Sequence, residues 1–179
     1  MSGHDLDRGL RLLATLWAGV MAGFFWSFST VVMPGLALAD PQTALASMQA
    51  INAAVRNALF ATGFFGAPLL CVLVAIRARA LRDGTSARLA LAGSTVYLLG
   101  VFTVTSVGNV PLNRALALLD PALTESGAAM TVYIREWTGW NDLRTVAGTI
   151  AFVLLAASTL RPTAPDTAHQ VPHGPPAQG

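Results

Sequence analysis

Four long apolar runs separated by short polar stretches organise this chain. The first opens after Arg11: no charged residue occurs from Leu12 to Ala39. At about 1.5 Å per helical residue, even the part before Pro34 covers a hydrocarbon core of roughly 30 Å. Membrane spans are predicted over about 12–33, 58–76, 89–108 and 143–160. Pro68 is expected to kink the second, because it removes a backbone hydrogen bond within lipid. The third places Gly93, Tyr97, Gly100, Val104 and Gly108 on one helical stripe, a pattern for tight packing against another helix. In the first, Gly19 and Gly23 between Ala18 and Ala22 make a similar face. It serves helix packing or lines a crevice with Trp26, Ser27 and Thr30. The fourth holds only about 24 Å of uncharged helix, so it is read as continuing a helix begun near Arg135, with Trp137 and Trp140 as interfacial anchors.

Between the first two spans, Asp40-Pro41 is a strong helix start, since the carboxylate accepts from orphan amides and proline has no amide to lose. The helix it opens carries an apolar row of Leu45, Met48, Ile51 or Asn52, and Val55. A polar row of Gln49, Asn52 and Arg56 lies beside it. Such a helix caps the bundle outside the membrane, and its polar row is either a solvated face or a lid over a site. Farther on, Arg114 to Leu119 forms a turn or two of helix stopped by Asp120-Pro121, and Ser126-Gly127 marks a loop. Residues 1–161 thus form one all-α domain, a four-helix transmembrane bundle with an additional short extracytoplasmic capping helix. Residues 162–179, with five prolines and no apolar periodicity, are expected to be a disordered cytoplasmic tail.

Composition agrees with the pattern. Of 179 residues, 54% are hydrophobic and 11% charged, and mean hydropathy is +0.56, outside the soluble range. All eleven basic residues are arginines. Arg8, Arg11, Arg77, Arg79, Arg82, Arg88 and Arg161 fall on one side of the spans and Arg56, Arg114, Arg135 and Arg144 on the other, so both termini are assigned to the cytoplasm of a multi-pass cell-membrane protein. Ala37-Leu-Ala39 resembles a signal-peptidase site, but the run before it is too long for a signal peptide and two aspartates precede it. With a single cysteine, Cys71, there is no internal thiol relay. Dispersed arginines make nucleic acid an unsuitable partner. His4, His169 and His173 all lie in the tails, so no imidazole is at hand for a haem or a His-carboxylate iron between spans. No metal and no cofactor is called for.

Chemistry is concentrated in two polar islands. If 135–145 is helical, Trp137, Trp140, Asn141 and Arg144 stand at i, i+3, i+4 and i+7 and share one face. Asn109-Val-Pro111-Leu-Asn113 ends the preceding apolar run on the same side of the membrane. The asparagines either cap helix ends or turn their amides into a crevice between the third and fourth spans. Arg144, a guanidinium at the edge of hydrocarbon, either snorkels, pairs with Asp142, Glu136 or an asparagine, or binds an anionic oxygen.

These two motifs, with the four-span layout and Met48-Gln-Ala-Ile-Asn52, resemble the anthrone oxygenase-like membrane family (DUF1772) over roughly Leu10 to Leu160. The resemblance implies oxidation of anthrones to anthraquinones in some members. An anthrone enolate is electron-rich enough to react with oxygen directly, so such a protein needs a dry apolar slot, a base, and donors for the enolate oxygen. Arg144, Asn109, Asn113 and Asn141 are the candidate catalytic donors, and Asp142 or Glu136 the candidate base. Trp137, Trp140, Trp26, Arg56 and Asn52, with Phe64, are the candidate substrate-binding residues. The function expected is cofactor-independent oxygenation of a small lipophilic aromatic. The alternative is a non-catalytic protein that binds a lipid or hydrophobic ligand, or assists assembly of a membrane complex. Partners expected are the bilayer and a small hydrophobic or aromatic ligand, with a homo-oligomer left open.

Overall fold

The computed structural model describes residues 3–81, 84–123 and 125–160. The Pro-rich tail, Arg82, Asp83 and Arg161 lie outside them. Among the described residues the chain is all-α: α1 (Gly3–Ser27), α2 (Met33–Leu38), α3 (Pro41–Ala54), α4 (Ala58–Leu81), α5 (Gly84–Tyr97), α6 (Val110–Leu116) and α7 (Glu125–Leu160). A π-helical turn, Phe28–Val32, joins α1 to α2, and two more, Leu98–Thr103 and Thr105–Asn109, join α5 to α6. Four continuous helices are long and apolar enough to cross a membrane: Asp5–Leu38, Ala58–Ala80, Gly84–Leu116 and Glu125–Leu160. The chain is therefore a membrane protein built as a four-helix bundle. Around the bundle α7 packs between α1 and α5, and α4 closes the ring by touching both α1 and α5.

Two prolines behave differently from expectation. Pro34 and Pro111 do not end their helices; each stands directly after a π-helical turn, at the first or second residue of α2 and α6. Proline lacks an amide and clashes with the carbonyl four residues back. A turn widened to i→i+5, seen in Met33 N–H to Phe28 O and Val110 N–H to Thr105 O, relieves that conflict without breaking the rod. As a result the third span continues past Gly108 to Leu116.

Ser126-Gly127 is not a loop either, because α7 begins at Glu125 and buries both residues. A Cβ on Gly127 would lie 2.9 Å from Pro41 Cβ, so this glycine serves close approach to α3. Glycine is used the same way on the stripe of the third span. There, Cβ atoms on Gly93, Gly100 and Gly108 would collide with Leu155 and Ala151, Ala147, and the Trp140 indole respectively. All of these lie on α7, so the stripe is the seam between the third span and α7.

The outer surface is as apolar as the core: Leu16, Val20, Leu69, Ile76, Val146 and Val153 are all exposed. In water this would be a liability, whereas in lipid it costs nothing. The buried polar groups gather at two ends. At the end carrying Gly3, Asp7 and Arg11 form a buried ion pair at 2.6 Å, and Arg11 donates to Ser86, whose hydroxyl donates to Ser158 O at 2.7 Å. Arg77 approaches Asp7 at 3.7 Å and donates to Gly3 O at 2.9 Å, so this knot ties all four spanning helices. The opposite end holds α3, α6 and the two polar islands.

Candidate functional site

A row of buried residues runs down the N-terminal half of α7: Met130, Tyr133, Trp137, Asn141 and Arg144. Their spacing of three and four residues keeps them on one face turned toward the π-helical turns of the first and third spans. Asn141, fully buried, donates through Nδ2 to Phe25 O at 2.7 Å and to Ser29 Oγ at 2.6 Å. That fixes its amide so that Oδ1 accepts from Arg144 Nη2 at 2.6 Å. Arg144 Nη1 donates to Thr105 Oγ1 at 3.2 Å. The guanidinium carbon lies 4.4 Å from the Phe25 ring centroid and 5.1 Å from that of Trp137, so two aromatic faces stand where a carboxylate would be expected. The ion pairs among the described residues are those of Arg11, Arg77 and Arg135; Arg144 joins none of them.

The third span brings its own polar groups to the same place. Asn109 is 1% exposed and its Nδ2 donates to Trp137 O at 3.1 Å. It is helical, with φ −72° and ψ −37°, and makes no side-chain cap, so the capping alternative fails because the helix never ends there. Asn113 Oδ1 accepts from Tyr133 Oη and from Trp137 Nε1, both at 2.8 Å. With Oδ1 engaged twice, Nδ2 is the donor Asn113 has left to offer. Gln49 of α3 donates to Leu116 O and Leu119 O, both at 2.9 Å, and holds the end of α6 in position. The polar row of α3 therefore faces inward: Gln49 bonds to α6 while Asn52 and Arg56 face a cavity.

That cavity encloses about 460 Å³, a volume suited to a small organic ligand. Phe24, Phe25 and Phe28 of the first span and Phe60 and Phe64 of α4 form much of its wall, and Asn52, Arg56, Thr105, Asn109, Asn113 and Arg144 supply its polar points. Only the first two turns of α4 reach it, so it lies near the end of the bundle that carries α3. Two of its residues each hold a buried polar atom with no hydrogen-bond partner, Asn109 Oδ1 and Arg144 Nε, whereas the Asn52 amide lies against the Tyr133 hydroxyl. Such atoms are rare and costly in a finished interior, and here a donor and an acceptor meet at one apolar space.

The two islands thus converge. Arg144, Asn109, Asn113, Asn52, Arg56 and Trp137 line the cavity. Asn141 stands behind the wall, where its Oδ1 holds Arg144. Trp26 and Trp140 do not line it: Trp26 is 58% exposed on the outer face, one residue and about 100° around the helix from buried Phe25, and Trp140 lies against Gly108 off the buried row of α7. Neither proposed base reaches it, since Glu136 pairs with neighbouring Arg135 and Asp142 is exposed. Among the described residues no group of three His, Cys, Asp or Glu side chains could hold a metal ion. Sequence reasoning missed Thr105 and most of the phenylalanine wall. Thr105 could have been found four residues before Asn109, and the phenylalanines by their spacing at 24, 28 and at 60, 64.

Neither a curated protein nor a solved structure matches the chain. A family model described as anthrone oxygenase matches residues 57–154, a stretch that includes α4, the π-helical turns of the third span, both asparagines and the polar half of α7. Covering more than half of the sequence and most of the cavity's polar residues, this match shows that the chain belongs to the anthrone oxygenase family.

Proposed function

We propose that the cavity binds a small lipophilic aromatic ketone as its enolate and supports its oxygenation to a quinone without a cofactor. The observation that carries this reading is the pair of unpartnered atoms, Asn109 Oδ1 and Arg144 Nε, at an apolar, phenylalanine-walled space. A buried guanidinium without a carboxylate favours an anionic oxygen. It is preorganised by Asn141 and Thr105, so little reorganisation accompanies charge development. The Asn113 amide, whose Oδ1 is engaged by Tyr133 and Trp137, adds a second donor, and Asn109 Oδ1 accepts from a ring hydroxyl. The lining holds no carboxylate or imidazole, so the proton leaves to water and the chain's contribution is to stabilise the oxyanion. The enolate carbon then forms a bond to O2, and the peroxide anion so formed takes a proton back from water. Loss of water from the resulting hydroperoxide turns the methylene into a carbonyl, with one oxygen atom retained and the other released as water.

In this reading α3 is a lid on the extracytoplasmic side and both termini face the cytoplasm of the cell, as the distribution of arginines favours. The test uses purified protein in lipid nanodiscs with anthrone, following oxygen uptake and quinone absorbance. Wild type is expected to exceed protein-free nanodiscs, and Arg144→Met and Asn109→Ala to lose most of the difference. If wild type binds anthrone and yields no uptake above the protein-free rate, the oxygenase reading is wrong and the cavity is a binding site for a hydrophobic ligand.

A further inference from the structure

The cavity does not end at Asn113. A second space of about 330 Å³ shares Asn52, Val55, Arg56, Val110 and Asn113 with it, so the two form one groove leading out between α3 and α6. The outer part adds Gln49, Arg114 and Ala117. Its charged groups are Arg56 and Arg114, and no carboxylate lines either part. Both arginines are exposed, and neither is in the ion pairs formed among the described residues. The groove is thus cationic at its inner end, through Arg144, and again at its mouth, with Asn52, Asn113, Val55 and Val110 lining the part between.

We infer that the ligand carries a second, acidic group at the end remote from its enolate oxygen, and that Arg56 and Arg114 receive it at the mouth. This rests on the reading of the cavity as an oxyanion site. Thr105, which holds Arg144, lies nine residues before Arg114, roughly 13 Å along the helix. A fused tricyclic ketone bearing one carboxylate on an outer ring separates its two oxyanions by less than that rise, and the long side chains of Arg56 and Arg114 cover the difference. The arrangement is economical in desolvation: the enolate oxygen meets a buried, preorganised cation, while the carboxylate stays partly hydrated and avoids the cost of burying a second anion. Exposed cations over a low-dielectric wall also draw acidic ligands to the mouth in a salt-dependent way. Arg56 and Arg114 are accordingly specificity-determining residues and stand apart from the oxidation itself.

The test measures binding of an anthraquinone monocarboxylate and of its methyl ester to the full chain in neutral-lipid nanodiscs, read by quenching of tryptophan fluorescence at low and high salt. Wild type is expected to prefer the acid by about tenfold, the combined effect of two exposed charge contacts, with the preference shrinking in high salt. Arg56→Gln with Arg114→Gln brings the acid down to the affinity that the same variant has for the ester, whereas lysine at both positions retains the preference. Equal affinities in wild type, or a preference that survives the glutamine pair, overturns the inference and leaves the cavity reading intact. Failure of both probes to bind overturns the cavity reading along with it.

Discussion

Replacing Arg144 by methionine and Asn141 by alanine, singly and together, separates the cost of holding a buried cation from the cost of losing its support. Arg144 is 4% exposed and Asn141 fully buried, so solvent screens little of what passes between them. Arg144→Met removes a charge whose desolvation costs several kcal/mol. It also forfeits a charge-assisted hydrogen bond of about 1.5–3 kcal/mol to Asn141 and ring contacts worth about 1–2 kcal/mol each. These oppose each other, and the net change is expected to fall within about 2 kcal/mol of zero. Asn141→Ala is different. It strips the guanidinium of its amide acceptor while the charge stays buried, and it removes the donor of Phe25 O, for a loss of about 3–5 kcal/mol. With Met at position 144 no charge is stranded, and the same Asn141→Ala change costs about 1–3 kcal/mol. The cycle should therefore show a coupling of about 2 kcal/mol, read by detergent-titrated unfolding in mixed micelles, while anthrone binding is lost in all three variants. The reasoning is refuted if Arg144→Met costs as much as Asn141→Ala, or if the two add to within about 0.5 kcal/mol.

Two further predictions concern packing. Gly108→Ala would set a Cβ 2.5 Å from Trp140 Cδ2 and should destabilise by about 1–3 kcal/mol; thermal unfolding of the pair with Trp140→Ala should show most of that loss relieved, and no relief would mean the seam is not as close as described. Asp7→Ala leaves Arg11, 2% exposed, buried without its carboxylate and should cost about 3–5 kcal/mol, with the melting temperature as the measure and a change below about 1 kcal/mol as the refuting result.

Much of this protein could be read along the chain because the bilayer imposes simple rules. A segment that crosses hydrocarbon must satisfy its own backbone and present apolar side chains, so four long runs meant four spanning helices whatever their packing. Asp40 caps α3 through Thr43 N–H at 3.1 Å for equally local reasons. The glycine stripe of the third span likewise predicted a close helix neighbour. Sequence also singled out two groups of polar residues that the structure brings to one cavity, since Arg144 and the asparagines are conspicuous where polar side chains are few.

What local pattern could not supply was direction and partnership. Pro34, Pro111 and Gly127 looked like breaks, but a π-helical turn before each proline and the approach of α3 to the glycine absorb them, and the last arises only when helices pack. Trp140 and Trp137 are three residues apart, and only the position of Gly108 on a neighbouring helix decides that one indole seals a seam while the other lines a cavity. Above all, the state of Arg144 was decided in three dimensions: Phe25, Thr105 and Asn141 come from three different spans, and together they hold a cation in the dry interior with one nitrogen still to be satisfied.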